Sequence, residues 1–241
     1  MKHMVWLVRG QDGSYFGWLV DPPLAGCHAR GTSRDSVLAT LPGQVDDFLD
    51  VLNRGWPDFD TTPYRPTGLE VAEELSRRGS ALDGSMHLFP AERMPPRPEE
   101  VSERLRILSC TRNELLSVAC TVPEAGLDWQ EPAKPETHTI RRQLRHVADV
   151  ERWYLGRLWR GLPPLVRSHT VWERLERTRA LAETWLSNLP SSNLARVERH
   201  VGELWSMRKI LRRLVYHEWF HLQVVRRIAG GYREHSRADG G

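Results

Sequence analysis

Residues 207–229 read MRKILRRLVYHEWFHLQVVRRIA and form the longest amphipathic run of this 241-residue chain. Ser206 can cap the start of a helix here and Gly230-Gly231 can end it, so the pattern predicts a helix over 207–229. Inside it, residues 217–221 read HEWFH and match the pattern HExxH. Histidines four residues apart lie on one helix face, about 6 Å apart along the axis. Both imidazoles can therefore reach the same metal ion.

Three further stretches upstream repeat apolar residues at a helical period, namely 99–120, 139–159 and 171–189. Proline or glycine follows each of them, as expected after a helix end. The connections after the first and the third stretch are longer than the one between 159 and 171. Four amphipathic segments of about twenty residues predict a four-helix bundle.

The beginning of the chain has a different pattern. Residues 5–8 and 15–20 are β-prone runs on either side of a turn at 11–14, which predicts a β-hairpin. Residues 28–32 can add a third strand.

A helix is expected after these strands. Thr32 or Ser33 can cap it, and its apolar pattern continues to Leu52, with a kink or a break expected at Pro42. A short helix over 69–77 follows a turn-rich segment. The first half therefore reads as a small α/β unit, and the whole chain as an α+β protein.

A change in composition separates the halves. Residues 90–98 read PAERMPPRP, and four prolines in nine residues favour a linker. Up to residue 97 the chain carries 10 basic and 13 acidic side chains, a net −3, whereas 98–241 carries 24 and 18, a net +6. The predicted organisation is an α/β domain, a proline-rich linker, a helix bundle and a polar tail, at 1–90, 91–98, 99–232 and 233–241.

Composition excludes several classes of protein. The chain is 40% hydrophobic and 27% charged, and no stretch reaches the roughly 20 apolar residues that a membrane helix requires. Arg9 and Asp12 interrupt the N-terminus where a signal peptide needs an apolar run. Three cysteines without a CxxC pair favour neither a disulfide framework nor a thiolate metal site. A net charge of +3 does not indicate a nucleic-acid partner. We expect a cytoplasmic protein without a membrane partner.

If there is a third metal ligand, it has to come from upstream of the HExxH motif. Proteases of the metzincin type need a glycine and a histidine downstream, where this chain has Val224 and Arg227. His146 is the best candidate, because it lies in the middle of a predicted helix beside apolar Val147 and is expected to point into the bundle. The alternative is a core histidine that hydrogen-bonds to a neighbour.

Charged residues near these histidines allow more than one interpretation. Glu218 is the candidate catalytic residue of HExxH as a general base, but it can equally orient an imidazole or pair with an arginine. Basic residues also cluster early in two predicted helices, and they either attract an anionic substrate or form a solvated face. These clusters are Arg141, Arg142 and Arg145, and Arg208, Lys209, Arg212 and Arg213.

Residues 144–155, LRHVADVERWYL, and the WSMR sequence at 205–208 that opens the HExxH helix resemble the DinB-like superfamily of metal-binding four-helix bundles. The resemblance covers about 98–231. It implies a divalent metal, zinc or nickel, held by His146, His217 and His221. It also implies a low-molecular-weight thiol as the small-molecule substrate, and a homodimer.

The first half resembles HicB-like domains, through residues 15–18 (YFGW), 24–27 (LAGC) and 29–33 (ARGTS). HicB-like modules sometimes precede DinB-like domains. Such a module either binds a protein partner or packs on the second half as an accessory fold.

Three protein ligands leave a coordination position open, whereas a structural zinc site has four. An open site can hold a substrate thiolate or lower the pKa of bound water. We therefore expect a metal-dependent enzyme, a thiol-dependent S-transferase or a related hydrolase. The alternative is a non-catalytic stress-response or interaction protein with a structural metal.

Overall fold

The computed structural model describes residues 2–20, 22–81, 87–132, 138–164 and 170–238. It is an α+β structure, with a sheet in the first part of the chain and helices in the second. Among the helices of those ranges, none is long and apolar enough to cross a membrane.

The sheet has four strands in the order β3-β2-β1-β4. The predicted hairpin is confirmed, because β1 (Lys2–Gly10) and β2 (Tyr15–Leu19) pair antiparallel across the expected turn. β3 (His28–Gly31) then pairs antiparallel with β2. His28 and Ala29 of this strand are buried, whereas Arg30 is exposed.

The predicted helix over 69–77 is wrong. This segment is β4 (Gly68–Arg77), which pairs parallel with β1 at the edge of the sheet. Alternate side chains, among them Val71 and Leu75, are partly buried and those between them are exposed. The glutamates of the segment favour a helix locally, but pairing with β1 overrides that preference.

One helix, α1 (Arg34–Gly55), covers the sheet. Ser33 caps it, since its hydroxyl accepts a hydrogen bond from the backbone N–H of Ser36 at 3.1 Å. The helix continues through Pro42, so the expected division into two shorter helices is wrong. Leu41, Val45 and Phe48 are all fully buried on either side of the proline, and this packing holds the helix together.

All four helices predicted for the second half are present, as α2 (Pro98–Ala119), α3 (Ile140–Leu155), α4 (Val171–Ser187) and α6 (Met207–Ala238). α6 packs against α2 and α3, and α4 packs against α3 and α2. The sequence did not predict a short helix and hairpin before α6, formed by α5 (Ser191–Leu194), β5 (Val197–His200) and β6 (Glu203–Ser206).

α6 is longer than predicted. It continues through Gly230-Gly231 to Ala238 and includes most of the expected polar tail. Trp129 supports this extension, because its ring lies against Gly231 and contacts the rings of Tyr232 and His235. Packing from outside the helix thus offsets the low helix propensity of the two glycines.

The two halves share one apolar core. Phe48 of α1 meets Trp219 of α6 edge-to-face, with ring centroids 5.2 Å apart, and both side chains are fully buried. Gly55 at the end of α1 packs against Cys110 of α2, where a Cβ atom would lie only 2.8 Å from the sulfur. The segment predicted as a linker contains a 3₁₀ turn, Pro90–Arg93, whose buried Glu92 pairs with Arg212 at 2.6 Å.

Candidate metal centre

α3 and α6 bring three histidines together. Ser206 caps α6 as predicted, accepting a hydrogen bond from the N–H of Lys209. His217 and His221 then lie one turn apart facing α3. The Nε2 atom of His217 is 3.2 Å from that of His146 and 3.1 Å from that of His221. One ring nitrogen of each histidine lies within 4.8 Å of those of the other two.

The position of His146 differs from the prediction. His217 and His221 are buried, but His146 is exposed at the rim of the cluster. Its neighbours Val147 and Ala148 occupy the buried face of α3. His146 precedes Val147 by about 100° around the helix, which places it at the edge of that face. The cluster therefore opens toward the surface on the α3 side.

All three imidazoles favour the neutral state. Burial lowers the pKa of His221 to about 3, and the nearby positive charge of His146 and Arg30 acts in the same direction. Burial also holds the pKa of His217 well below its usual range, and the partial desolvation of the His146 ring by its neighbours lowers the pKa of His146. Neutral imidazoles present lone pairs, which is the state that binds a metal ion near pH 7.

Gln143 fixes the orientation of one imidazole. Its carbonyl Oε1 is 2.5 Å from Nδ1 of His221 and accepts the proton of that nitrogen. The Nε2 of His221 is then unprotonated and directed at the cluster, the arrangement typical of metal-bound histidine. Gln143 was not among the site residues predicted from the sequence. The spacing could have indicated it, because Gln143 precedes His146 by three residues and so lies near it on the same helix.

The donor set fits a divalent metal. Three nitrogen ligands at 2.0–2.1 Å from an ion in tetrahedral geometry are roughly 3.3 Å apart, close to the two spacings at His217. Neutral nitrogens that converge at this distance repel one another unless a proton or a cation lies between them. Imidazole suits zinc, nickel and copper alike, so the donor atoms do not choose between them.

Glu218 belongs to a different polar group on the same helix. One carboxylate oxygen accepts from Nε of Arg112 at 2.5 Å and the other accepts from Arg179. Glu151 accepts from the same two arginines at 2.8 and 2.7 Å. These contacts favour the ion-pair alternative for Glu218 over a role as general base. We call Arg112, Glu151, Arg179 and Glu218 the ion-pair ring, and α2, α3, α4 and α6 contribute one residue each.

Five residues of the basic clusters pair with acidic or polar side chains, whereas Arg142 and Arg145 of α3, which precede His146, are exposed. Arg141 binds Asp128 and Glu124, and Arg208 binds Glu100 at 2.8 Å. Lys209 pairs with Glu203, Arg212 with Glu92, and Arg213 donates to the Tyr154 hydroxyl. These contacts support neither a solvated face for the α6 cluster nor a role in attracting substrate, because its side chains are engaged inside the protein.

Residues 107–225 match the family model of the DinB superfamily. This part of the chain, slightly less than half of it, is similar to the DinB superfamily. The match begins in α2 and ends in α6, so it contains all three histidines, Gln143 and the ion-pair ring. Neither a curated protein nor a solved structure matches the chain. The sheet and α1 lie outside the family match.

Proposed function

We propose that this DinB-like protein is a divalent-metal-dependent enzyme that uses His146, His217 and His221 as metal ligands, with zinc or nickel as the ion. The observation that carries the proposal is the convergence of three neutral ring nitrogens at metal-ligand spacing, with one of the three histidines at the surface. An exposed ligand is compatible with entry of a substrate. The structural-metal alternative requires a sealed site, which is less compatible with an exposed His146.

A thiol-dependent S-transferase is the reaction we favour, with a related hydrolase as the alternative. A divalent ion bound to three imidazoles supplies the Lewis acidity that holds a thiol as thiolate. The thiol releases its proton to solvent, the sulfur forms a bond to an electrophilic carbon, and the leaving group departs with the electron pair. Gln143 keeps the His221 imidazole in the correct tautomer, and the burial of His217 and His221 excludes water from one side.

The identity of the first half is also part of the proposal. The order strand, strand, strand, helix from β1 to α1 supports a HicB-like module, here packed on a four-helix bundle. We further propose that the protein functions as a homodimer, which sedimentation of the full chain measures directly.

Elemental analysis of untagged protein tests the metal site. We expect close to one equivalent of zinc or nickel in the parent and a clear loss in His146→Ala. His200→Ala is the matched control, because this histidine lies on β5 outside the cluster and should leave the metal content unchanged. A parent that takes up no metal even after addition of zinc or nickel contradicts the proposal.

Thiol transfer is then tested on the loaded protein. We expect release of the leaving group from an activated alkyl electrophile to depend on both the metal and an added thiol, and to be lost in His146→Ala. A metal that binds tightly while no thiol reaches it would instead support the structural role.

A further inference from the structure

A cavity of about 300 Å³ lies between the two halves, and its described lining includes Phe220, the chain neighbour of His221, but none of the three clustered histidines. α6 forms one wall with Phe220, Gln223, Val224 and Arg227. These residues span two turns of α6, beginning with Phe220. The volume is at the lower end of the range for small-molecule sites.

The opposite wall comes from outside the DinB-like region. β3 contributes His28, Ala29 and Arg30, and α1 contributes Thr40 and Gln44. The guanidinium carbon of Arg30 lies 4.5 Å from the centre of the Phe220 ring. The Phe220 ring also contacts the candidate metal site, because its centroid is 5.0 Å from that of the His221 ring. One phenyl ring therefore separates Arg30 from the histidine cluster.

The charge of this cavity is positive. Its lining contains Arg30 and Arg227 and, among the residues that the structure describes, no carboxylate. Arg227 has a distant partner, with its Nε 3.7 Å from Glu131. Arg30 is exposed, and the described part of the chain offers it the Phe220 ring but no carboxylate within ion-pair distance.

Gln223 adds an unused donor. Its amide Nε2 is buried and has no hydrogen-bond partner among the described residues. A buried donor without a partner costs free energy, so such a group in a cavity wall is typical of a site that a ligand completes. An anionic oxygen between Arg30 and Gln223 would satisfy both groups.

We propose that the first half of the chain completes the substrate site, and that Arg30 selects small molecules carrying a carboxylate or a similar anionic group. The proposal rests on the function proposed above, because the reacting end of the same molecule is placed at the histidines. It assigns the accessory half a role in recognition, on the side of the site where the basic cluster of α6 is engaged in contacts inside the protein.

Two thiols that differ only in charge at the far end test this role. Protein loaded with Co²⁺ is titrated with 6-mercaptohexanoate and with 6-mercapto-1-hexanol, and binding is followed by the thiolate-to-cobalt charge-transfer band. The six-carbon chain is long enough to pass one phenyl ring. In the parent we expect tighter binding of the carboxylate. In Arg30→Gln we expect its affinity to fall about tenfold while that of the alcohol stays unchanged.

Arg9→Gln is the matched control, because it removes the same charge from an exposed site on β1 and should leave both affinities unchanged. Co²⁺ affinity is measured separately in each variant and should equal that of the parent. A parent that binds both thiols equally, or an Arg30→Gln that weakens both by the same factor, overturns the inference while the metal site stands. A parent that binds no Co²⁺ overturns the proposed function and this inference together.

Discussion

The ion-pair ring and the histidine cluster are neighbours on α6, yet they differ in how completely their polar atoms are satisfied. Both carboxylates of the ring accept hydrogen bonds from two arginines, and those arginines also donate to the carbonyl oxygens of Leu175 and Leu108. In the histidine cluster, the Nε2 atom of His217 lies 3.2 and 3.1 Å from those of His146 and His221, and the lone pair of His221 points into this space. A buried polar cluster whose hydrogen bonds are all made within the protein is typical of a structural element. A cluster in which several lone pairs point at one another is typical of a ligand site.

The largest effect should come from breaking the ring. Glu218→Ala leaves two buried guanidinium groups short of a partner, and we expect the free energy of unfolding to fall by about 3–5 kcal/mol. Urea denaturation measures it, with Glu183→Ala on the exposed surface of α4 as the control. Unchanged stability together with loss of metal-dependent activity would assign Glu218 to the metal site instead.

Metal addition should stabilise the protein through the cluster. At a free zinc concentration a hundred times its Kd, we expect the free energy of unfolding to rise by about 2.7 kcal/mol in the parent. His146→Ala should show little of this gain, whereas His200→Ala should retain all of it. Equal stabilisation of His146→Ala and the parent would place the metal elsewhere in the molecule.

Much of the histidine cluster and of the helices around it could be predicted from the sequence, because these features depend on local patterns. The spacing of His217 and His221, the cap at Ser206 and the apolar period of the four helices depend on residues within one or two turns. The choice of His146 as their partner rested on its place in the middle of a predicted helix, to which the family resemblance added support, and its exposure was not foreseen. The spacing of two histidines on one helix predicts that their imidazoles lie close together. It does not predict how exposed a third histidine on another helix is.

Features that depend on distant partners were not predictable in this way. β4 has a helix-prone sequence, and only its pairing with β1, more than sixty residues earlier, makes it a strand. The ion-pair ring takes one residue from each of four helices, so no local pattern connects Arg112 with Glu218. Arg30 reaches Phe220 only because the two halves share a core.

A smaller effect, on metal affinity, should come from removing the residue that fixes the tautomer of His221. Gln143→Leu removes the acceptor for Nδ1–H, and we expect metal affinity to fall roughly 10–100-fold, as is typical for the partner of a metal-bound imidazole. Competition with a chromophoric chelator measures it. Gln143→Glu keeps an oxygen acceptor and should retain most of the affinity. If both variants bind metal like the parent, the Gln143 contact is only a packing feature.

The last effect concerns a buried histidine outside the cluster, and it appears only as the pH falls. Burial lowers the pKa of His28 to about 3, and the charges of Arg30 and Arg213 act in the same direction, while its Nδ1 lies 3.2 Å from the carbonyl oxygen of Gly26. The unfolded chain binds this proton near pH 6.5, so it takes up more protons than the folded protein below that value. Stability is therefore complete above pH 6.5 and decreases as the pH falls toward 3.

His217 and His221 add to this loss in protein without metal, so the contribution of His28 has to be separated from theirs. In EDTA, His28→Asn should reduce the slope of unfolding free energy against pH by at most about 1.4 kcal/mol per pH unit between pH 6 and 4. With zinc bound, protons must displace the metal from the cluster, but the slope due to His28 should be unchanged. A His28→Asn effect that disappears on metal addition would mean that His28 and the cluster titrate as one unit. That result would contradict the distinction between His28, as a buried histidine with a structural hydrogen bond, and the histidines of the cluster, as metal ligands.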